Sequence, residues 1–215
     1  MPREPGGHPG ADHRRLATPL RLAGVGVCVL VLVVAVAGLA GGLERVPDRQ
    51  LPVLAVDEVS DGQPWNVAVT AAHLFRKLGD FEPLEDDSHF LVVVANIEVT
   101  ARESRSDISF VMYPWGVEGL TSEFALTGLE DGKAFGADEV ALVRDSTAVA
   151  DLHPGLPERV VFLWEQSDDV VPTEVTLRIV SMTLRESTLS GHMEWLDPEP
   201  RAQVTVPVRD RRDES

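Results

Sequence analysis

Two patterns of apolar positions divide the chain. Between residues 22 and 43 the sequence LAGVGVCVLVLVVAVAGLAGGL carries no charge. From residue 65 onward apolar residues recur at every second position, the period of a half-buried strand. Trp65, Val67, Val69 and Ala71 alternate with Asn66, Ala68 and Thr70. The clearest strand is FLVVVANIEVTA at 90–101, with Leu91, Val93, Ala95, Ile97 and Val99 on one face. Ile108, Phe110 and Met112 continue the alternation before Pro114. Phe124 and Leu126 lead to an Asp131-Gly132 turn, and Val140 to Val143 read as a short strand.

After the turn Leu152-His153-Pro154-Gly155 comes RVVFLWE at 159–165. EVTLRIVSMTL at 174–184 is a long strand whose apolar phase shifts from Val175, Leu177 and Ile179 to Val180, Met182 and Leu184. Such a shift predicts a β-bulge. Val204, Val206 and Val208 close the series. One helical turn fits His73 to Leu78, and no long helix is predicted. The expected fold is an all-β, immunoglobulin-like antiparallel sandwich of about seven to nine strands over 65–208, preceded by one transmembrane helix.

Twenty-two helical residues span roughly 33 Å, enough for a bilayer core of about 30 Å. Arg3, Arg14, Arg15 and Arg21 precede the stretch against Glu4 and Asp12, so the positive-inside rule keeps residues 1–21 cytoplasmic. The predicted organisation is a cytoplasmic tail at 1–21, a transmembrane helix at 22–43, a stalk at 44–64 and a disordered tail at 209–215. The stalk rests on Pro47, Pro52, Pro64 and Asp61-Gly62, with a short strand at Val53 to Val56, and the charged tail on RDRRDES. The alternative is a cleaved signal peptide, cut after Ala37, which would leave the domain secreted. Gly38 and Gly42 have the spacing that lets two such helices pack closely and self-associate.

Charge sharpens this picture. Of 19 Lys+Arg and 35 Asp+Glu, four and two precede residue 44, which leaves 15 − 33 = −18 beyond it. That surface repels nucleic acid and anionic headgroups; it would attract cations or basic partners, and solubility alone also accounts for it. The one cysteine, Cys28, lies in the apolar stretch. The remainder therefore has no disulfide, thiolate metal site or cysteine nucleophile.

Three stretches carry a family resemblance: FLVVVANIEVT at 90–100, DLHPGLPERVVFLWE at 151–165 and EVTLRIVSMTL at 174–184. Together they resemble the telokin-like or antigen-like immunoglobulin-fold domains of exported Gram-positive lipoproteins and membrane-anchored proteins. The resemblance spans roughly 62–208. It implies an exported β-sandwich of largely unknown function and supplies no catalytic residues. The chain departs from that pattern in lacking a lipobox and in a longer segment at 185–203.

Candidate chemistry is sparse. There is no G-x-S-x-G, and Ser190-Gly191-His192 is a loop-like tripeptide, so no catalytic residue is assigned. His73, His89, His153 and His192 lack metal-ligand spacing. No cofactor is expected. The acidic run gives calcium candidates in Glu82, Glu85, Asp86 and Asp87, without D-x-D-x-D-G geometry; a solvated acidic loop is the other reading. Trp65 and Trp164 read as core. Trp115 and Trp195 fall in predicted loops, as partner anchors or as lids over the end of the sandwich. The functional expectation is a non-enzymatic binding or assembly role with another envelope protein, and the alternative is an extracytoplasmic sensor that binds a cation through the acidic loop.

Overall fold

The structure is a computed structural model that describes residues 50–121, 134–145, 147–149 and 151–214. The apolar stretch 22–43, with Ala37, Gly38 and Gly42, lies outside them, as do Phe124, Leu126 and the Asp131-Gly132 turn. Among the described residues no helix is long and apolar enough to cross a membrane.

Among the described residues nine strands follow one another, with a single 3-10 turn at Ile108–Phe110. They are β1 (Val53–Leu54), β2 (Val59–Ser60), β3 (Trp65–Phe75), β4 (Ser88–Val99), β5 (Met112–Trp115), β6 (Glu139–Leu142), β7 (Glu158–Ser167), β8 (Glu174–Glu186) and β9 (Met193–Asp210). The hydrogen-bonded order is β5-β8-β9-β3-β4-β7-β6, with β1 on β9 and β2 on β3.

This path folds over on itself at β9. Along Met193 to Pro207 that strand runs antiparallel to β8. Along Val208 to Asp210 it runs parallel to β3. The two layers face each other across one core. Val67, Leu91, Val93, Phe162 and Trp164 come from one layer, and Met112, Leu177, Ile179, Val204 and Val206 from the other. The result is an all-β sandwich, as the period-two pattern requires.

The alternation breaks where the backbone breaks. In β3 the register slips between Val69 and Ala71, so Thr70 is the extra residue and its hydroxyl donates to the Val94 carbonyl (3.1 Å). The core face then passes to Ala72 and Leu74, while Ala71 packs on the opposite face. The shift expected in β8 is also present, between Ile179 and Val180 and again between Ser181 and Thr183. The extra residues lie on β9, however. Val180 is buried on the other face, beside Tyr113, rather than carried into the core by an insertion in β8.

Three expectations are corrected. Residues 53–60, assigned to a stalk with a short strand at Val53 to Val56, pair into the sandwich: Val53 and Leu54 run beside Gln203 and Val204 of β9, and Val59 and Ser60 beside Ala68 and Val67 of β3. The tail at 209–215 is ordered at its start: Arg209 and Asp210 pair with β3, and Arg211 N–H donates to the Leu74 carbonyl (3.0 Å). His73 belongs to β3, and Leu78 forms a bridge with Phe81, so the helical turn at 73–78 does not form.

One burial pattern has no counterpart in simple alternation. β4 and β7 are buried on both faces. Phe90, Val92, Val94, Val161 and Leu163 form a second apolar cluster behind the first layer, covered by Leu78 and Phe81 of the β3–β4 loop. The acidic run therefore sits on a loop that is packed down by its own hydrophobic residues.

Candidate functional site

The far ends of β8 and β9 form a two-stranded ribbon. Leu184 pairs with Trp195 and Glu186 with Met193. Cross-strand partners and residues two apart share a face, so Leu184, Met193 and Trp195 make one apolar strip. Leu184 remains 46% exposed and Met193 61% exposed. The turn closes through Ser187 N–H to the His192 carbonyl (2.8 Å), with Gly191 at φ +70°. That left-handed backbone favours glycine.

The strip faces Arg105. Its guanidinium lies 6.0 Å from the ring centre of Trp65 and 5.9 Å from that of Trp195. Trp65 is fixed in the core, where its indole N–H donates to the Val180 carbonyl (2.9 Å). Arg105 is held by reciprocal backbone bonds with Leu152 (both 2.9 Å) and by a two-pronged pairing with Asp107. Asp107 takes up its charge. A groove of about 600 Å³ opens beside this stack, lined by Thr100, Arg102, Glu103, Leu184, Met193 and Trp195. It offers an apolar floor, an aromatic wall and a polar rim, the makeup of a binding surface.

Trp195 therefore stands on a strand, not in a loop, because cross-strand pairing with Leu184 continues the ladder to the hairpin tip. Trp115 likewise ends β5, paired with Thr176. Its ring lies 3.2 Å from the Arg178 guanidinium carbon and edge-on to Tyr113 at 6.4 Å. Trp115 and Trp195 are on separate grooves.

The acidic candidates are held individually. Glu82 pairs with Lys77, and that hydrogen bond holds its carboxyl below the usual range. Glu85 N–H and Leu84 N–H donate to the two oxygens of Glu165 (2.9 and 3.0 Å). Glu165 is buried on the outer face of β7, and its own N–H donates to Asp138 (2.8 Å). Glu82 and Glu85 line a cavity of about 440 Å³ with Asp80, Asp138, Glu139 and Glu165; Asp86 and Asp87 do not. Among the described residues no three His, Cys, Asp or Glu side chains converge to hold a metal ion.

Other polar contacts went unforeseen in the sequence. His89 is fully buried, with Nδ1 3.0 Å from Asp168. Arg76 also pairs with Asp168 (2.8 Å) and, as the largest influence, depresses its carboxyl pKa. Ser104 Oγ lies 2.7 Å from His153 Nδ1, but the pair is exposed and no carboxylate among the described residues orients the ring. Ser190 instead donates to Glu194, and His192 meets it only through its backbone N–H. None of these pairings has the nucleophile, base and orienter of a triad. Apart from Asp107 beside Arg105, the partners of Arg105, Glu165 and His89 lie 27 to 90 residues away in sequence, and no local motif marks them.

No family model matches the chain, and no curated protein does. Among solved structures, an uncharacterized β-sandwich protein from Clostridium difficile 630 is similar over 76% of this chain and 97% of its own, at 10% identity and a TM-score of 0.45. A candidate lipoprotein from Bacillus subtilis subsp. subtilis str. 168 is similar over 69% of this chain at 8% identity and a TM-score of 0.36, and the match spans 38% of that protein. Likenesses at this level bear no weight for function, and the sandwich rests on the strand pairing above.

Proposed function

We propose that the chain is a membrane-anchored extracytoplasmic protein of telokin-like, immunoglobulin-like type, whose role is non-catalytic binding or assembly at the cell envelope. The observation that carries this reading is the apolar strip of Leu184, Met193 and Trp195, left open beside Arg105 on a ribbon that extends beyond the core. Exposed apolar residues on a rigid support, beside an Arg105 whose charge Asp107 takes up, suit a protein partner better than a reaction. The anchor is the uncharged stretch 22–43, with the Arg excess before it supporting a cytoplasmic N-terminus.

A photo-cross-linking residue at Met193 in intact membranes tests the site. An adduct with another envelope protein is expected there and not from the exposed control position Leu156. Equal adducts from both positions overturn the reading. Protease treatment of intact spheroplasts tests the topology: digestion of the C-terminal domain is expected, and its survival reverses the orientation.

The second reading, a cation-binding sensor, draws on the cavity that Glu82 and Glu85 share with four other carboxylates. These groups are spread rather than convergent. Thermal-shift measurements in millimolar calcium separate the two readings, since only the sensor requires a rise in melting temperature.

A further inference from the structure

Among the described residues neither outer edge of the ribbon has a paired strand: β8 meets β5 only as far as Ile179, and β9 meets β1 only at Gln203 and Val204 and β3 only from Val208. Residues of a strand point their N–H and C=O groups alternately to either side. In β8 the N–H of Val180 donates to the Val111 carbonyl (2.9 Å) and that of Met182 to the Gln63 carbonyl (2.8 Å), both away from β9. Ser187 N–H, by contrast, turns inward to His192. The same parity aims the N–H and C=O of Leu184 and the N–H of Glu186 outward. The ladder of acceptors begun by Val111 and Gln63 stops there.

Two grooves meet at this edge and share Gln63 and Leu184. One is the groove at Trp195. The other, of about 730 Å³, lies beside Asp61, Asn66 and Arg201. An added strand would send alternate side chains into the two grooves, the arrangement by which strand addition gains both main-chain affinity and side-chain selectivity.

We propose that the outward edge of β8 at Leu184–Glu186 receives an extended, basic segment of a partner polypeptide as a further strand. Alternate apolar residues of that segment enter the groove of Leu184, Met193 and Trp195. Lys and Arg in its remaining positions match the charge of −18 beyond residue 43, which steers a cationic segment toward the surface. This inference rests on the binding role proposed above and names the chemistry of its partner.

The test pans a phage library of linear heptapeptides against the full-length chain in detergent. Enriched peptides with alternating apolar residues and added Lys or Arg are expected. Leu184→Pro removes an outward N–H together with the Leu184 side chain, so Leu184→Ala serves as the side-chain control, and proline should weaken their binding about tenfold more than alanine does. N-methylation along a selected peptide should lose affinity at every second residue, and this scan on the wild-type chain decides the matter if the proline variant misfolds. No enrichment, selected peptides without added Lys or Arg, equal binding by folded Leu184→Pro and Leu184→Ala variants, or a scan without the two-residue period overturns strand addition. If the Met193 adduct persists in Leu184→Pro, the groove remains a binding site and the edge does not.

Discussion

Glu165→Gln isolates what holds the acidic loop in place. The buried carboxylate accepts two backbone N–H groups, from Leu84 and Glu85, one on each oxygen. A hydrogen bond to a charged group contributes about 1.5–3 kcal/mol. Glutamine keeps one oxygen and turns an NH2 toward the other donor. One bond is lost, at a cost of about 2 kcal/mol, and the second weakens as its acceptor loses charge. Against this, Asp80, Glu82, Glu85, Asp138 and Glu139 around the same cavity no longer repel a sixth carboxylate. At partly exposed positions that relief is about 0.5 kcal/mol. The hydrogen bonds win, and a net loss of about 2 kcal/mol lowers the melting temperature by about 4–8 °C for a domain of this size. Hydrogen exchange should localise the change to residues 78–88, where Leu78 and Phe81 cover the second apolar cluster. An unchanged or raised melting temperature would mean that repulsion among the carboxylates dominates, and the reasoning would fail.

Further outcomes follow from single positions. Gly119 has φ +72° and its added Cβ would lie 2.7 Å from Val170 Cγ2, so Gly119→Ala should cost about 1–3 kcal/mol by chemical denaturation. Asp210 is held at a pKa of about 2, chiefly by its hydrogen bond from Arg212. Its contribution is present above the unfolded value near 3.8 and is lost as pH falls through that window toward 2. Arg212→Ala should therefore be less stable at neutral pH, with the difference from wild type closing between pH 4 and 2 in an acid titration followed by circular dichroism. Trp115→Ala should lower the melting temperature, because its ring stacks on Arg178 and packs against Tyr113; a variant as stable as wild type would return Trp115 to the role of a free partner anchor.

Strand positions were legible in the sequence because alternation reports burial on one face. Leu91 to Val99, Val160 to Trp164 and Val204 to Val206 all point where the period places them. Alternation fails where both faces are buried. Phe90, Val92 and Val161 lie within apolar runs whose alternation marks one face only, yet Leu78 and Phe81 of the β3–β4 loop pack against them on the other. It also fails at Thr70, where a single extra residue reverses the faces and no glycine or proline announces it. Of the candidate site, Trp195 was visible as an aromatic residue outside the obvious strands. Its setting was not, since Trp65 and Arg105 are brought to it only by the closing of the sandwich. The acidic run was visible as charge, but Lys77 and Glu165 decide what that charge does.

The crossing strand β9 has a consequence for the order in which the molecule is made. β3, at 65–75, finds its parallel partner only at Val208 to Asp210, and β8 finds its own along the preceding residues. The layer β3-β4-β7-β6 pairs without β9, but in the pairing order it is joined to β8 only through that strand. Until β9 has been made, Val67, Leu91, Phe162 and Leu177 belong to a core that still lacks Val204 and Val206. A delay at β9 therefore leaves the facing surfaces of both layers exposed at once.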